Sequence, residues 1–320
     1  MVLTDTADRI QRMEIRGAGR IARAAAQALK EHAESSDARD LESFMRYMEQ
    51  GASILISTRP TAVSLPNAVH LVMRSLQGTV SVEEAKDLLI KAADEFSRSS
   101  LYAVERIGKF GARHIRDGDV VLTHCNSEAA LACIVQAHQD GREITVFATE
   151  VRPMNQGLLT IRALNNAGLV TNYIADSAVR YFMHDIDLVV VGADAVAVNG
   201  AVVNKIGTSQ IALAAHEART HLIVAAETYK FAPRTILGEL IELEERPGEE
   251  LLPRDLAAGL PLVTARNPAF DVTPAEYVDL IITEEGAIPP QMAYTIIREY
   301  LGWDIGEFRT GPAPGHHGER

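Results

Sequence analysis

Apolar positions along the chain follow two different rhythms, and the change falls at Asp117-Gly118. Before it, apolar residues recur at three- and four-residue spacings, the period of amphipathic helices. That spacing predicts helices over 8–30, 41–55 and 82–113, the first broken in its middle by Arg16-Gly-Ala-Gly19. Between the second and third, the stretch 58–67 carries Pro60 and Pro66, which predict a break. After Gly118, short β-rich apolar runs take over at 120–123, 144–149, 170–175, 188–192, 222–226 and 278–283. Helical stretches at 127–139, 158–167, 177–183 and 208–219 alternate with them. Continuous apolar strands separated by helices are expected of parallel strands covered on both faces. The fold class is therefore α/β: an N-terminal helical domain (1–116), then a doubly wound, Rossmann-like parallel-sheet domain (117–309). The Gly/Pro-rich end, 310–320, reads as a flexible tail, and His316 and His317 fit a frayed end better than a metal site. An open sheet of this kind takes its ligand at the carboxyl ends of the strands.

Composition narrows the function. A chain of 320 residues suggests more than one core. Its net charge of −12 argues against general nucleic-acid or anionic-membrane partners. The longest apolar run falls short of the roughly 20 residues a membrane helix needs. Asp5, Asp8, Arg9, Arg12 and Glu14 break up any signal-peptide pattern, so the expected location is the cytoplasm. Six lysines stand against 25 arginines, a bias that suits a salt-tolerant protein and that a GC-rich genome also produces. Two cysteines, Cys125 and Cys133, make neither a disulfide framework nor a zinc pattern.

Polar motifs cluster just past the predicted strand ends. Thr123-His124-Cys125-Asn126-Ser127 ends one strand and opens a helix, where free N–H groups and the helix dipole favour a thiolate and a nearby anion. By position alone, Cys125 is as well read as a buried small hydrophobe. Cys133, inside the helix on an apolar stretch, reads as core filler. Asp194, directly after Val190-Val191-Gly192-Ala193, stands at the mouth of the sheet, where half-burial would suit a proton shuttle; the alternative is a turn cap. Asn199-Gly200 predicts a hairpin turn. Asn204 and Lys205, the segment 226–231 with Lys230, and the segment 150–157 with Arg152 and Gln156 bring more polar groups to strand ends. Arg16 and Arg59 lie in loops of the helical part, and arginine grips phosphate at two points. Any one of these is more often a solvated charge; their clustering points to a phosphorylated substrate. No Gly-x-Gly-x-x-Gly follows a strand, and no Walker loop, Gly-x-Ser-x-Gly or His-Glu-x-x-His occurs, so no cofactor and no metal are expected.

Taken in order, Arg16-Gly-Ala-Gly, Thr123-His-Cys-Asn-Ser, Arg152-Pro with Gln156-Gly, Gly192-Ala-Asp, Asn199-Gly, Asn204-Lys-Ile-Gly-Thr and Glu227-Thr-Tyr-Lys-Phe resemble one family. It unites methylthioribose-1-phosphate isomerases, archaeal ribose-1,5-bisphosphate isomerases and the regulatory subunits of translation initiation factor 2B. The likeness spans about residues 10 to 300. Arg59-Pro-Thr-Ala-Val-Ser-Leu-Pro-Asn and Asn267-Pro-Ala-Phe-Asp are most similar to the ribose-bisphosphate branch, and the cysteine and aspartate together favour an enzyme over a regulatory subunit. Asn126 departs from the histidine found in a relative of that branch.

The resemblance implies an aldose–ketose isomerase acting in AMP salvage. The ring of the α-anomer would open to an aldehyde at C1. Cys125, as thiolate, would take the C2 proton, and Asp194 would handle protons on the oxygens or return one at C1. Arg16, Gly17, Ala18, Gly19, Arg59, Ser127, Glu128, Ala129, Arg152, Gln156, Asn204, Lys205 and Lys230 would hold the phosphates and hydroxyls. The family also implies activation by AMP and a homohexamer built as a trimer of dimers.

Overall fold

A computed structural model describes residues 2–15, 17–59 and 62–303. The chain opens with α1 (Val2–Gln11), α2 (Ala18–Glu34), α3 (Leu41–Ser57), α4 (Ser64–Met73) and α5 (Val82–Ala112). Side-chain caps fix where these begin. Asp40 accepts the Ser43 N–H at 2.8 Å ahead of α3, and Ser81 accepts that of Glu84 at 3.2 Å ahead of α5. Each cap satisfies a donor that the first turn of a helix leaves unpaired. The break expected over 58–67 is shorter than its prolines suggested, because Pro66 lies inside α4. It occupies the first turn, where a helix has no hydrogen bond for proline to remove.

The sheet-forming half follows as β1 (Val120–Thr123), α6 (Glu128–Gln139), β2 (Thr145–Thr149), α7 (Gly157–Asn166), β3 (Val170–Ile174), α8 (Val179–Phe182) and β4 (Leu188–Gly192). Next come β5 (Ala195–Val196), β6 (Val202–Lys205), α9 (Thr208–Ala218), β7 (His221–Ala225), α10 (Arg254–Ala257), β8 (Phe270–Thr273), β9 (Leu280–Thr283), β10 (Gly286–Ile288) and α11 (Ala293–Glu299). The main sheet runs β10-β9-β7-β4-β1-β2-β3, parallel except for β10, which pairs antiparallel with β9. Strand order reverses between β1 and β4, the switch point of a doubly wound sheet, where a crevice forms above the strand ends. The chain is thus α/β, with helices preceding a mostly parallel sheet. A small antiparallel sheet, β5-β6-β8, sits beside it. The turn between β5 and β6 contains Asn199-Gly200, with Gly200 at φ 82°.

The central strands β1, β4 and β7 are mostly apolar because both their faces are covered, whereas the edge strand β3 leaves Val170 and Tyr173 exposed. Val121 and Val190 join Cys133 and Ile134 of α6 in one core. Leu122, Val189 and Val191 face a second core, which holds Ile211 and Ala215 of α9 and runs on to Leu29 and Leu65 of the N-terminal helices. Where α5 crosses α6, Gly111 makes room for Cys133: a Cβ there would stand 2.2 Å from its Sγ. Cys133 is core filler, its thiol buried and bonded to the Ile107 and Ala129 carbonyls. No helix of the described residues is long and apolar enough to cross a membrane. The segment 310–320 lies outside the described residues.

Candidate active site

A cavity of about 470 Å³ opens at the carboxyl ends of β1, β4 and β7. The amino ends of α2, α6 and α7 reach it, and the long connection between β7 and β8 closes over it with Glu244 and Arg246. Cys125 and Asp194, which follow neighbouring strands at the switch point, both line it.

Tight backbone geometry holds these groups. Cys125 has φ 65°, an unusual value outside glycine, and Val151 and Asn155 at the same end of the sheet have φ 62° and 51°. Backbone held in sparsely populated regions collects at functional sites because the surroundings enforce it. Here the enforcing contacts are visible. Thr160 Oγ1 donates to the Cys125 carbonyl at 2.7 Å, and Cys125 Sγ donates to Gln156 Oε1 at 3.3 Å. Asp176 accepts the Val151 and Arg152 N–H groups at 2.9 and 2.8 Å. His124 is fully buried behind the cysteine; its Nε2–H donates to the Ile206 carbonyl at 2.9 Å and Nδ1 meets Thr149 Oγ1 at 2.6 Å. Because a carbonyl can only accept, Nε2 carries the proton, and burial lowers the pKa, so the ring is neutral. His124 therefore ties β1, β2 and the turn after β6 together rather than facing the cavity. Gly192 lets the Asp194 turn touch the start of α6, since a Cβ there would sit 2.3 Å from Ser127 Oγ.

Electrostatics overturn one expectation. The amino end of α6 was expected to favour a thiolate, but burial pushes the Cys125 thiol up to about 11, with Lys205 opposing and Asp194 adding to the rise. A helix terminus is worth about 0.3–1 kcal/mol, less than one pKa unit, so desolvation wins. Burial also raises Asp194 above the ordinary carboxylate range, against the pull of Lys230, Lys205 and Arg59. Thiol and carboxyl thus both hold their protons more tightly than they would in water.

Most of the residues expected to hold substrate converge on this cavity. Gly17, Ala18, Gly19, Arg59, Ser127, Glu128, Gln156, Asn204, Lys205 and Lys230 all line it. Several cations already have partners. Arg59 pairs with Glu244 at 2.6 Å, Lys230 with Glu227 at 2.7 Å, and Arg20 with Glu128 at 2.8 Å. Lys205 lies over the Phe270 ring, 4.4 Å from its centre, a cation–π contact. Two of the expected residues lie off the lining of this cavity. Ala129 is buried in the core beneath α6, because the second residue of that helix turns toward the sheet. Arg152 is exposed and lines a smaller adjoining cleft, because Asp176 holds its backbone away from the large cavity. Arg16 lies outside the described residues. The amino end of α9 is filled by Asp271, which accepts the Gly207 and Ser209 N–H groups at 2.8 and 3.1 Å. The sequence reading passed over Glu227, Arg162 and Arg246 in the lining. Glu227 alone had a signal, as the acid of a strand-end motif already noted for Lys230.

A thiol and a carboxyl at the switch point of a doubly wound sheet, ringed by lysines and arginines, form an acid–base site suited to an anionic substrate. The chain belongs to the Initiation factor 2 subunit family, whose model matches residues 14–290. It is 56% identical over 303 residues to the ribose 1,5-bisphosphate isomerase of Methanocaldococcus jannaschii, covering 94% of this chain and 96% of that one. It is 37% identical over 305 residues to the methylthioribose-1-phosphate isomerase of Pelotomaculum thermopropionicum, covering 90% and 83%. Among solved structures it is similar to the translation initiation factor eIF-2B of Pyrococcus horikoshii OT3, with a TM-score of 0.77 and 33% identity over 90% of this chain and 97% of that one.

Proposed function

We propose that the chain is an aldose–ketose isomerase that converts ribose 1,5-bisphosphate to ribulose 1,5-bisphosphate. The observation that carries this reading is the meeting of Cys125 and Asp194 in one cation-lined cavity at the switch point. It is supported by whole-length relatives of that name at 56%, 52% and 50% identity.

The phosphate stays on O1 throughout this conversion, so ring opening does not release the free aldehyde expected from the sequence. Asp194, protonated, gives its proton to the ring oxygen as the C1–O bond to that oxygen breaks. Cys125, as thiolate, takes the hydrogen of C2 as a proton. C1 and C2 become doubly bonded, with the phosphate on O1 and a hydroxyl on C2. Cys125 then returns its proton to C1, Asp194 removes the proton of the C2 hydroxyl, and a ketone remains at C2. Both side chains finish as they began. Thiolate plus carboxylic acid carries the same net charge as thiol plus carboxylate, so a proton moving within the site reaches the working form. A thiolate that binds its proton tightly is the stronger base for a carbon acid, and general acid–base help is worth about 10²–10⁴-fold. Arg59, Lys205 and Lys230 with the amino ends of α2 and α6 take the phosphates.

A homohexamer and a response to AMP belong to this proposal through the family resemblance alone, while cytoplasmic location and the two-domain division belong to it through the sequence pattern. Offering purified protein ribose 1,5-bisphosphate and methylthioribose 1-phosphate in competition tests the substrate. Preference for the bisphosphate is expected; turnover of the methylthio sugar alone would overturn the assignment.

A further inference from the structure

Glu227 stands two residues past the point where Ala225 of β7 pairs with Gly192 of β4, and Asp194 stands two residues past Gly192. The two carboxyl groups therefore leave neighbouring parallel strands at the same level, and both line the cavity. Glu227 is 3% exposed and Lys230 6%, and Lys230 Nζ lies 2.7 Å from Glu227 Oε2. The other oxygen is held from behind. Tyr229 O–H donates to Glu227 Oε1 at 3.0 Å, Ser100 Oγ lies 3.1 Å from the Tyr229 oxygen, and Arg23 Nη1 donates to Ser100 Oγ at 3.1 Å. Every proton in this relay points toward Glu227, so the carboxylate is fixed in place and in charge. Gly19 belongs to the same arrangement: a Cβ there would sit 3.0 Å from the Tyr229 oxygen.

Resting on the function proposed above, we propose that Glu227 is a positioning residue which engages Lys230 so that Asp194 can hold the proton it must deliver. The groups facing Asp194 are Lys230, Lys205 and Arg59, with Glu227 the opposing acid. Lys230 in turn faces Glu227, Asp194 and, from α6, Glu128. Glu227 faces Lys230 and Tyr229, and Glu284 of the β9–β10 turn lies close by. Without the Glu227 carboxylate, burial alone would oppose the pull of Lys230, Lys205 and Arg59 on Asp194, and its carboxyl would ionise more readily. An ionised Asp194 cannot protonate the ring oxygen. With Glu227 in place, Lys230 keeps its N–H groups for phosphate while its charge is offset toward Asp194. Burial opposes charge on both members of the pair, and each holds the other ionised.

The test is Glu227→Gln on the full chain, read by carbon NMR titration of the Asp194 carboxyl, assigned with Asp194→Asn. The midpoint is expected to fall, because Glu227 no longer opposes the pull of Lys230 on Asp194. Glu227→Asp should recover most of the shift, and the acid limb of the kcat profile on ribose 1,5-bisphosphate, where the thiol–carboxyl pair loses its first proton, should move down with the midpoint. A folded Glu227→Gln protein with an unmoved Asp194 midpoint overturns the proposal. If that variant does not fold, Lys230→Gln probes the same coupling with the opposite sign, and there a midpoint that fails to rise overturns it. The titration needs no turnover. A wild-type protein that ignores the bisphosphate therefore defeats the proposed reaction, while the titration still decides the role of Glu227.

Discussion

Iodoacetamide attacks thiolates, so its rate at Cys125 measured against pH reports directly on the balance between burial and the helix terminus. With a midpoint of about 11, the thiolate fraction at pH 7 is about 10⁻⁴. An ordinary thiol near 8.5 would hold about 3% thiolate, so Cys125 should react about 300-fold more slowly than a free cysteine at that pH. The rate should climb tenfold per pH unit through pH 9 and bend only near 11. Lys205 opposes the rise, so Lys205→Met should move the bend higher still. Quenched alkylation with peptide mass spectrometry separates Cys125 from the buried Cys133. A bend at or below about 8.5 would mean that the amino end of α6 outweighs desolvation, and the electrostatic account of the site would be wrong.

Gly192→Ala should lower stability by about 1–3 kcal/mol, since its Cβ would stand 2.3 Å from Ser127 Oγ; Ser127→Gly should recover part of the loss in thermal melts, and an unchanged melt would contradict the contact. Arg59→Gln removes a charge-assisted grip worth about 1.5–3 kcal/mol, so KM for the bisphosphate should rise about 10–100-fold; an unmoved KM would place the phosphates elsewhere. Gly111→Ala should destabilise by a similar 1–3 kcal/mol through its clash with Cys133, with Cys133→Ala restoring the melt; if the double variant is no better than the single, the packing is misread.

The central parallel strands were legible because both faces are buried, which leaves short, nearly continuous apolar runs such as Leu188–Gly192. Cys125 and Asp194 were legible as strand-end residues, and strand order then brought them together, which only the assembled sheet could reveal. The small sheet was harder. β5 has two residues and β8 partners β6 across 64 positions, so local pattern marked only the Asn199-Gly200 turn. The burial of the Ala129 side chain was not legible, because the second residue of a helix can turn inward while the amino end presents its N–H groups outward. Cys125 misled on charge because the helix dipole can be read from sequence, whereas burial depends on everything packed around the thiol. Glu227 was visible only as a letter in a motif; its pairing with Lys230 is local, but its relay to Arg23 depends on α2 and α5 lying against the sheet.

The account stands most directly on turnover by three proteins: wild type, Cys125→Ser and Asp194→Asn, each incubated with ribose 1,5-bisphosphate and followed by phosphorus NMR, with circular dichroism as the check on folding. Wild type should form ribulose 1,5-bisphosphate, and each variant should keep its fold while losing about 10²-fold or more in kcat. Wild type that leaves the bisphosphate unchanged, or folded variants that match it, would contradict the account.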